Sequence, residues 1–257
     1  MAAGHLKDEV RYARVGAAAL LTIDRDARRN AVDGKTAQAL LDGYNAFEAD
    51  SSAHVLVVTG AQGTFCAGAD LTDIASLAPR VWSPDGPMGF TRRIPSKPTI
   101  AAIEGYAVAG GFELALWCDL RIVGRTAKFG FLERRWGVPL IDGGTQRLPH
   151  VVGLGRALEL CLTGRLVESD EALAIGLANE VVDDGSTLTR ALELAEVIAG
   201  FPQQTMLADR EAMLAGLGRP IEDGLRIEAR LGIPTIGVGA EGAARFAAGA
   251  GRGGTSA

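Results

Sequence analysis

The chain has 257 residues, of which 47% are hydrophobic and 22% charged, with a formal net charge of -5 at pH 7. This composition is typical of a soluble globular protein with a sizeable core, and the length suits one large domain or a domain with a helical appendage. No Lys/Arg cluster forms a basic stripe, which argues against nucleic acid as a partner.

Neither a targeting segment nor a membrane span is expected. Residues 1–10 lack the apolar run of a signal peptide. The most apolar long stretch, residues 99–118, is interrupted by Glu104 and Glu113, which a membrane span would not tolerate. We therefore predict a cytoplasmic protein with no membrane partner.

Histidine and cysteine do not supply a reactive centre. The three cysteines have no CxxC spacing, which favours reduced thiols. The three histidines are scattered along the chain, so neither a histidine-based triad nor a zinc site has its parts. No metal or cofactor is predicted, and any catalysis has to come from carboxylates or backbone groups.

Strands and helices alternate along the first two thirds of the chain. Residues 15–23 predict a strand, and Asp33 is a suitable N-cap for a helix whose apolar residues recur at helical spacing. Apolar runs at 55–59, 99–103 and 120–123 predict buried parallel strands. Residues 112–118 have helical character. The pattern predicts an α/β fold with mainly parallel strand pairing.

The remaining segments differ in character. Prolines and glycines in residues 77–93 predict a loop. After residue 186 three successive helices are predicted, at 188–198, 205–217 and 222–231, and the Gly-rich tail from residue 249 is expected to be disordered. We predict a core domain at 1–186 and a helical C-terminal region at 187–257.

Two glutamates lie in unusual settings. Glu113 follows Gly110 and Gly111 at what should be a buried helix start, where a carboxylate is costly unless it is hydrogen-bonded or neutralised. It is either a capping or structural residue or a buried carboxyl with a perturbed pKa. Glu133 follows aromatic residues, and it either pairs with the neighbouring arginines on a surface or joins Glu113 in acid–base chemistry.

Several motifs resemble those of the enoyl-CoA hydratase, or crotonase, superfamily. Residues 65–71 resemble its FxAGAD segment, and residues 97–119 its KPxIAAxxGxAxGGGxELAxxCD segment. Residues 129–148 resemble FGxPE…GGTQRL, and residues 29–31 resemble the early RxNA turn. The matches occur in the family's order and spacing, with Glu113 and Glu133 twenty positions apart as in the family's hydratases.

The resemblance implies a spiral of ββα repeats with a helical C-terminal trimerisation part, giving a homotrimer or a dimer of trimers. It also implies an acyl-CoA thioester substrate from fatty acid metabolism, coenzyme A being part of that substrate. The N–H groups of Ala69 and Gly110 would form an oxyanion hole for the thioester enolate. Small residues permit that close approach, and the dipole of the helix that begins near Gly110 favours negative charge.

Further roles follow from the same resemblance. Glu113 would take a proton from the attacking water, and Glu133 would supply one to Cα. In a dry pocket two nearby carboxylates cannot both ionise easily, which would keep one protonated near neutral pH. The residues expected to bind the substrate are Arg28, Ala31, Ala67, Asp70 and Ile141.

The sequence departs from the family at two positions. Ile141 stands where hydratases usually have glycine, and it should shorten or reshape the acyl pocket. Asp142 stands where a small residue is common and adds a third carboxylate. The leading prediction is an enoyl-CoA hydratase. The alternatives are an isomerase or thioester hydrolase acting through the same enolate, and a non-catalytic acyl-CoA-binding protein.

Overall fold

A computed structural model describes residues 4–7 and 9–249. The tail predicted to be disordered lies, apart from Gly249, outside the described residues. The chain forms two compact units, one extending to Ile198 and the other beginning at Ala199. No helix in the described ranges combines the length and apolar character that crossing a lipid bilayer demands. The expected boundary after residue 186 remains a prediction.

Ten strands occur in the described part of the first unit. They are β1 (Gly4–Lys7), β2 (Val10–Val15), β3 (Ala18–Ile23), β4 (Val55–Gly60), β5 (Thr99–Ile103), β6 (Tyr106–Val108), β7 (Leu120–Gly124), β8 (Lys128–Gly130), β9 (Val167–Glu168) and β10 (Glu180–Val182). The larger sheet has the order β1-β2-β3-β4-β5-β7-β10, and the smaller one β6-β8-β9. Pairing is parallel from β3 to β10 across the larger sheet, as the apolar runs predicted.

One strand prediction is wrong in detail. Residues 15–23 do not form a single strand, because β2 ends at Val15 and β3 begins at Ala18, and the two pair antiparallel. Gly16 makes the reversal possible with a φ of 56°, a left-handed conformation that glycine adopts without steric cost. A hairpin therefore stands where the hydrophobic pattern indicated one continuous strand.

Nine α-helices lie within residues 4–7 and 9–249. They are α1 (Gly34–Ala49), α2 (Gly110–Trp117), α3 (Gly144–Val152), α4 (Leu154–Thr163), α5 (Ser169–Ala174), α6 (Thr187–Ala199), α7 (Gln203–Gly216), α8 (Ile221–Gly232) and α9 (Ile236–Ala247). The prediction of Asp33 as the N-cap of α1 is confirmed, since its carboxylate accepts a hydrogen bond from the Thr36 N–H at 2.8 Å. Short 3-10 helices cover Asp26–Arg28, Leu71–Arg80, Leu132–Trp136 and Ile233–Thr235.

The larger sheet is buried on both faces. Val55 and Val57 of β4 belong to a cluster on one face that includes Ala191 and Ala195 of α6. Leu56 and the other alternate residues of the parallel strands face the main cluster, which contains the aromatic side chains of α1 and α2. The period of two in these contacts follows from the alternation of side chains along a strand. This double burial explains the continuous apolar runs in the sequence.

The C-terminal helices agree with the sequence prediction except at the end. The expected helices at 205–217 and 222–231 are α7 and α8, while α9 was not predicted. Its three glycines, Gly237, Gly239 and Gly242, lower the intrinsic helix propensity. The loop predicted at 77–93 is partly correct. Residues 77–80 belong to the 3-10 helix Leu71–Arg80, and residues 81–93 form neither helix nor strand.

Candidate active site

A single cavity of about 920 Å³ contains all nine sequence-predicted site residues in its lining. Its walls come from the segment after β3, the segment after β4, the start of α2 and the stretch between β8 and α3. Most of the other lining side chains are apolar. The structure therefore brings together residues that lie up to 113 positions apart, from Arg28 to Ile141.

Ala69 and Gly110 both line this cavity, and the main chain beside Ala69 lies close to Gly110. A Cβ atom placed on Gly68 would lie 2.9 Å from the Gly110 nitrogen, so the residue before Ala69 packs directly against Gly110. Within the described part of the chain, neither the Ala69 nor the Gly110 N–H donates a hydrogen bond. Ala109, which precedes α2, has a φ of 52°, a backbone angle that residues other than glycine seldom adopt. Backbone strain of this kind is characteristic of functional sites.

Glu113 is a buried carboxyl held by the main chain. Its side chain is 3% exposed, and its Oε1 accepts hydrogen bonds from the N–H groups of Asp142 at 3.0 Å and Gly144 at 2.8 Å. No N–H of its own helix is among these donors; the carboxyl instead binds the N–H of Gly144, the first residue of α3. Burial, followed by the negative charge of Asp142, raises the pKa of Glu113 to about 8.

Glu133 lies in the 3-10 helix before α3 and is also buried, at 6% exposure. Neither carboxyl oxygen accepts a hydrogen bond from another residue in the described ranges. Arg134 and Arg135 are exposed, so the alternative of a surface ion pair is wrong. Burial raises the pKa of Glu133 to about 7. A buried carboxyl without a partner is costly for folding, which favours a role in binding or catalysis.

The two carboxyls form a coupled pair. Each faces the same cavity, and the negative charge of Glu133 contributes to the raised pKa of Glu113. Interacting carboxyls lose their protons in two steps that belong to the pair. Burial raises both pKa values toward neutrality, to about 8 for Glu113 and about 7 for Glu133. Such a pair can accept a proton at one carboxyl and donate one from the other.

The outer end of the cavity is polar and partly exposed. Arg28, whose side chain is 53% exposed, lines it and lies 4.0 Å from Asp70. Asp70 is buried, and its carboxylate binds Arg25 at 2.7 Å and the N–H of Thr72 at 2.9 Å. Its side chain therefore fixes local structure, while its main chain and Ala67 border the cavity. Arg28 keeps the exposure that an anionic ligand requires.

Sequence reasoning did not identify two residues beside the reactive groups. Met88, in the predicted loop, packs on Gly110, where an added Cβ would lie 3.0 Å from the methionine Sδ. Thr91 donates its hydroxyl to Asp142, the third carboxylate of this region. Both contacts depend on the path of a loop without periodicity, so no local signal in the sequence could have revealed them.

Comparisons with known proteins identify the family. Residues 14–247 match the family model for enoyl-CoA hydratase/isomerase. The chain is 34% identical to the enoyl-CoA hydratase EchA19 of Mycobacterium tuberculosis over 86% of this chain and 85% of that protein. It is 36% identical to the crotonyl-CoA hydratase of Syntrophomonas wolfei over 82% of this chain and 83% of that one.

A solved structure supports the same relationship. The enoyl-CoA hydratase EchA1 of Mycobacterium marinum superposes with a TM-score of 0.88 at 34% identity, covering 94% of this chain and 96% of that chain. The chain belongs to the enoyl-CoA hydratase/isomerase family. The predicted fold class, an α/β fold of the crotonase type with a helical C-terminal region, is confirmed.

Proposed function

We propose that this protein is an enoyl-CoA hydratase, which adds water across the 2,3 double bond of an enoyl-CoA thioester. One observation carries the proposal: two buried carboxyls face the same cavity as two N–H groups without acceptors among the described residues. Hydration of an enoyl thioester requires a proton acceptor, a proton donor and a site for negative charge on the thioester oxygen. The named relatives at 34–36% identity are enoyl-CoA hydratases.

In the proposed reaction the water oxygen bonds to Cβ while Glu113 accepts one proton of that water. The electron pair of the double bond moves to the thioester oxygen, which the N–H groups of Ala69 and Gly110 bind as an enolate. Because that oxygen gains charge only as the reaction proceeds, these donors lower the barrier more than they tighten binding. The enolate then takes a proton at Cα from the carboxylic acid of Glu133.

The hydrogen bonds favour this division of roles, whereas the order of the two pKa values, about 8 for Glu113 and about 7 for Glu133, favours the opposite one. The two N–H bonds to Oε1 stabilise the carboxylate form of Glu113. Glu133 accepts no hydrogen bond from the described residues, and its burial favours the neutral acid. The negative charge of Asp142 opposes the ionisation of Glu113, which places the working pH of the pair near or above neutrality.

The substrate would lie across the cavity with its nucleotide at the outer end. Arg28 would approach the phosphates of coenzyme A, while Ala31, Ala67 and the main chain of Asp70 border the adenine and pantetheine portions. Ile141 lines the inner part of the cavity, where its side chain would limit the acyl chain. The proposal requires no cofactor, since coenzyme A is part of the substrate.

We further propose a trimer, or a dimer of trimers, in the cytoplasm. The C-terminal helices carry large apolar side chains that are exposed in the single chain. They include Met213 in α7, Ile221 and Leu225 in α8, and Ile236 and Phe246 in α9. Large apolar side chains of this kind are typically covered at subunit interfaces.

Glutamine substitutions at the two glutamates test the mechanism. Glu113→Gln and Glu133→Gln nearly preserve volume, and each should reduce hydration of crotonyl-CoA by about 10²–10⁴-fold. The double variant should lose far less than the product of the two effects, because the pair acts as a unit. Loss of the enoyl thioester absorbance measures the rate, and calorimetry with a saturated acyl-CoA should show little change in affinity.

Two outcomes would contradict the proposal. Full hydratase activity in Glu133→Gln would remove that residue as the proton donor. A wild-type protein that binds acyl-CoA but catalyses neither hydration, isomerisation nor hydrolysis would instead be a binding protein.

A further inference from the structure

The carboxylate of Asp142 links two segments of the active site. It is 4% exposed, and its Oδ1 accepts hydrogen bonds from the Met88 N–H at 3.0 Å and from the Thr91 hydroxyl. Arg147 joins the same two segments through its guanidinium, which donates to the carbonyl oxygens of Asp142 at 2.9 Å and Thr91 at 2.6 Å. These hydrogen bonds therefore hold the loop at 81–93 against the turn before α3.

The two segments joined by Asp142 each contact a residue that the proposed reaction uses, Glu113 in one case and Gly110 in the other. The main-chain N–H of Asp142 donates to Glu113 Oε1 at 3.0 Å. Met88, which the carboxylate of Asp142 holds by its N–H, packs on Gly110. A displacement of Asp142 would therefore disturb two contacts at once. It would move the N–H that binds Glu113, and it would move Met88 away from its packing against Gly110.

We propose that Asp142 is a positioning residue for hydration, whose carboxylate fixes the 81–93 loop over Gly110 and whose main-chain N–H holds Glu113. This inference rests on the proposed function and adds a residue to it. Asp142 needs no contact with the reacting atoms for this role. It acts through Met88, Thr91 and Glu113.

The charge of Asp142 also acts on Glu113, whose Oε1 lies 3.0 Å from the main-chain nitrogen of Asp142. After burial, it is the largest influence that raises the pKa of Glu113. Burial raises the pKa of Asp142, while the two donors to its Oδ1 and the guanidinium groups of Arg92 and Arg147 act in the opposite direction and favour its anion. The other titratable or charged groups facing the two carboxyls are Glu133 in the 3-10 helix, the Cys66 thiol after β4, Arg92 in the loop and Arg147 in α3.

Two substitutions separate the anchoring from the charge. In Asp142→Asn the amide oxygen can still accept from Met88 and Thr91, while the charge is lost. We expect a kcat within a few-fold of the wild type and a pH profile of kcat/KM displaced to lower pH by about one unit. In Asp142→Ala the anchor is also lost, and misplacement of the reacting groups should lower kcat by about 10²-fold.

Asp85→Asn is the matched control, because Asp85 binds Arg93 within the same loop and does not contact Asp142. It should leave the pH profile where it is in the wild type. Equal loss in Asp142→Asn and Asp142→Ala with an unshifted profile would reduce Asp142 to a structural residue and overturn the inference. Wild-type behaviour of Asp142→Ala would overturn it as well.

An infrared titration distinguishes this inference from the proposed function. The protonated carboxyl band of Glu113 is assigned by its absence in Glu113→Gln, and its titration midpoint needs no substrate turnover. In Asp142→Asn the midpoint should fall, and an unchanged midpoint contradicts the role of the charge. A wild type without hydratase activity would refute the proposed function, while the titration would still decide whether Asp142 controls Glu113.

Discussion

Replacing Glu113 with glutamine should stabilise the protein, and the gain should increase with pH. The pKa of this buried carboxyl is about 8 in the folded protein, compared with 4.5 as its ordinary value. The folded state therefore holds the proton more tightly than the unfolded state does. The stability that this carboxyl contributes is fully present below about pH 4.5 and is lost as the pH rises through about 8.

The expected magnitude follows from these two pKa values. Relative to a neutral side chain, Glu113 should reduce the free energy of unfolding by about 1 kcal/mol at pH 5 and by about 4 kcal/mol at pH 8. Glutamine retains an acceptor for the N–H groups of Asp142 and Gly144, so the hydrogen bonds to Oε1 need not be lost. The pH-dependent part of the difference therefore reports the ionisation alone.

Urea unfolding at a fixed protein concentration, from pH 5 to pH 8, measures this difference. The gap between the variant and the wild type should widen by about 3 kcal/mol across that range. Glu211→Gln, at an exposed position of α7, is the control substitution measured over the same range. A constant gap for Glu113→Gln would refute the reasoning that burial and Asp142 raise its pKa.

Three further predictions concern the cavity and the assembly. In Gly68→Ala the new Cβ would lie 2.8 Å from the Ala109 Cβ and 2.9 Å from the Gly110 nitrogen, so kcat should fall by about 10²–10³-fold. Gly63→Ala, with a φ of 75° and no atom within 4 Å of its Cβ, should keep its activity; equal losses in both variants would contradict the prediction. Ile141→Gly should extend the accepted acyl length, each methylene being worth about 1–3 kcal/mol in kcat/KM, and an unchanged chain-length profile would place Ile141 outside the acyl pocket. Sedimentation should show a trimer or its dimer, and a stable monomer at micromolar concentration would contradict the proposed interface.

The sequence predicted those parts of the fold in which local pattern and tertiary environment agree. The runs at 55–59 and 99–103 are buried on both faces, so their continuous apolar character matched their place in a parallel sheet. The hairpin at Gly16 was missed because the residues on both sides are apolar or small, so the hydrophobic pattern continues through the turn. The chain reverses there through the left-handed backbone conformation of Gly16, which the pattern does not show. Helix α9 was missed because its glycines argue against a helix by propensity alone.

In the candidate site, too, some features were predictable from the sequence and others depend on tertiary packing. Glu113 and Glu133 were identifiable because a carboxylate among apolar residues is costly, and the structure buries both. The absence of hydrogen bonds to Glu133 among the described residues is a property of packing that sequence spacing does not encode. The anchoring of Met88 by Asp142 likewise joins residues 54 positions apart through a loop without periodicity.

Isotope labelling during turnover tests the central claim that the two glutamates add one water to an enoyl thioester. Crotonyl-CoA incubated with the protein in ¹⁸O-labelled water should give a 3-hydroxyacyl-CoA with the label on Cβ. In deuterium oxide the product should carry one deuterium at Cα after a single turnover. Mass spectrometry of the product detects both labels. Labelled free acid would instead identify a thioester hydrolase, and deuterium exchange without a bound label would identify an isomerase; either result would contradict hydration.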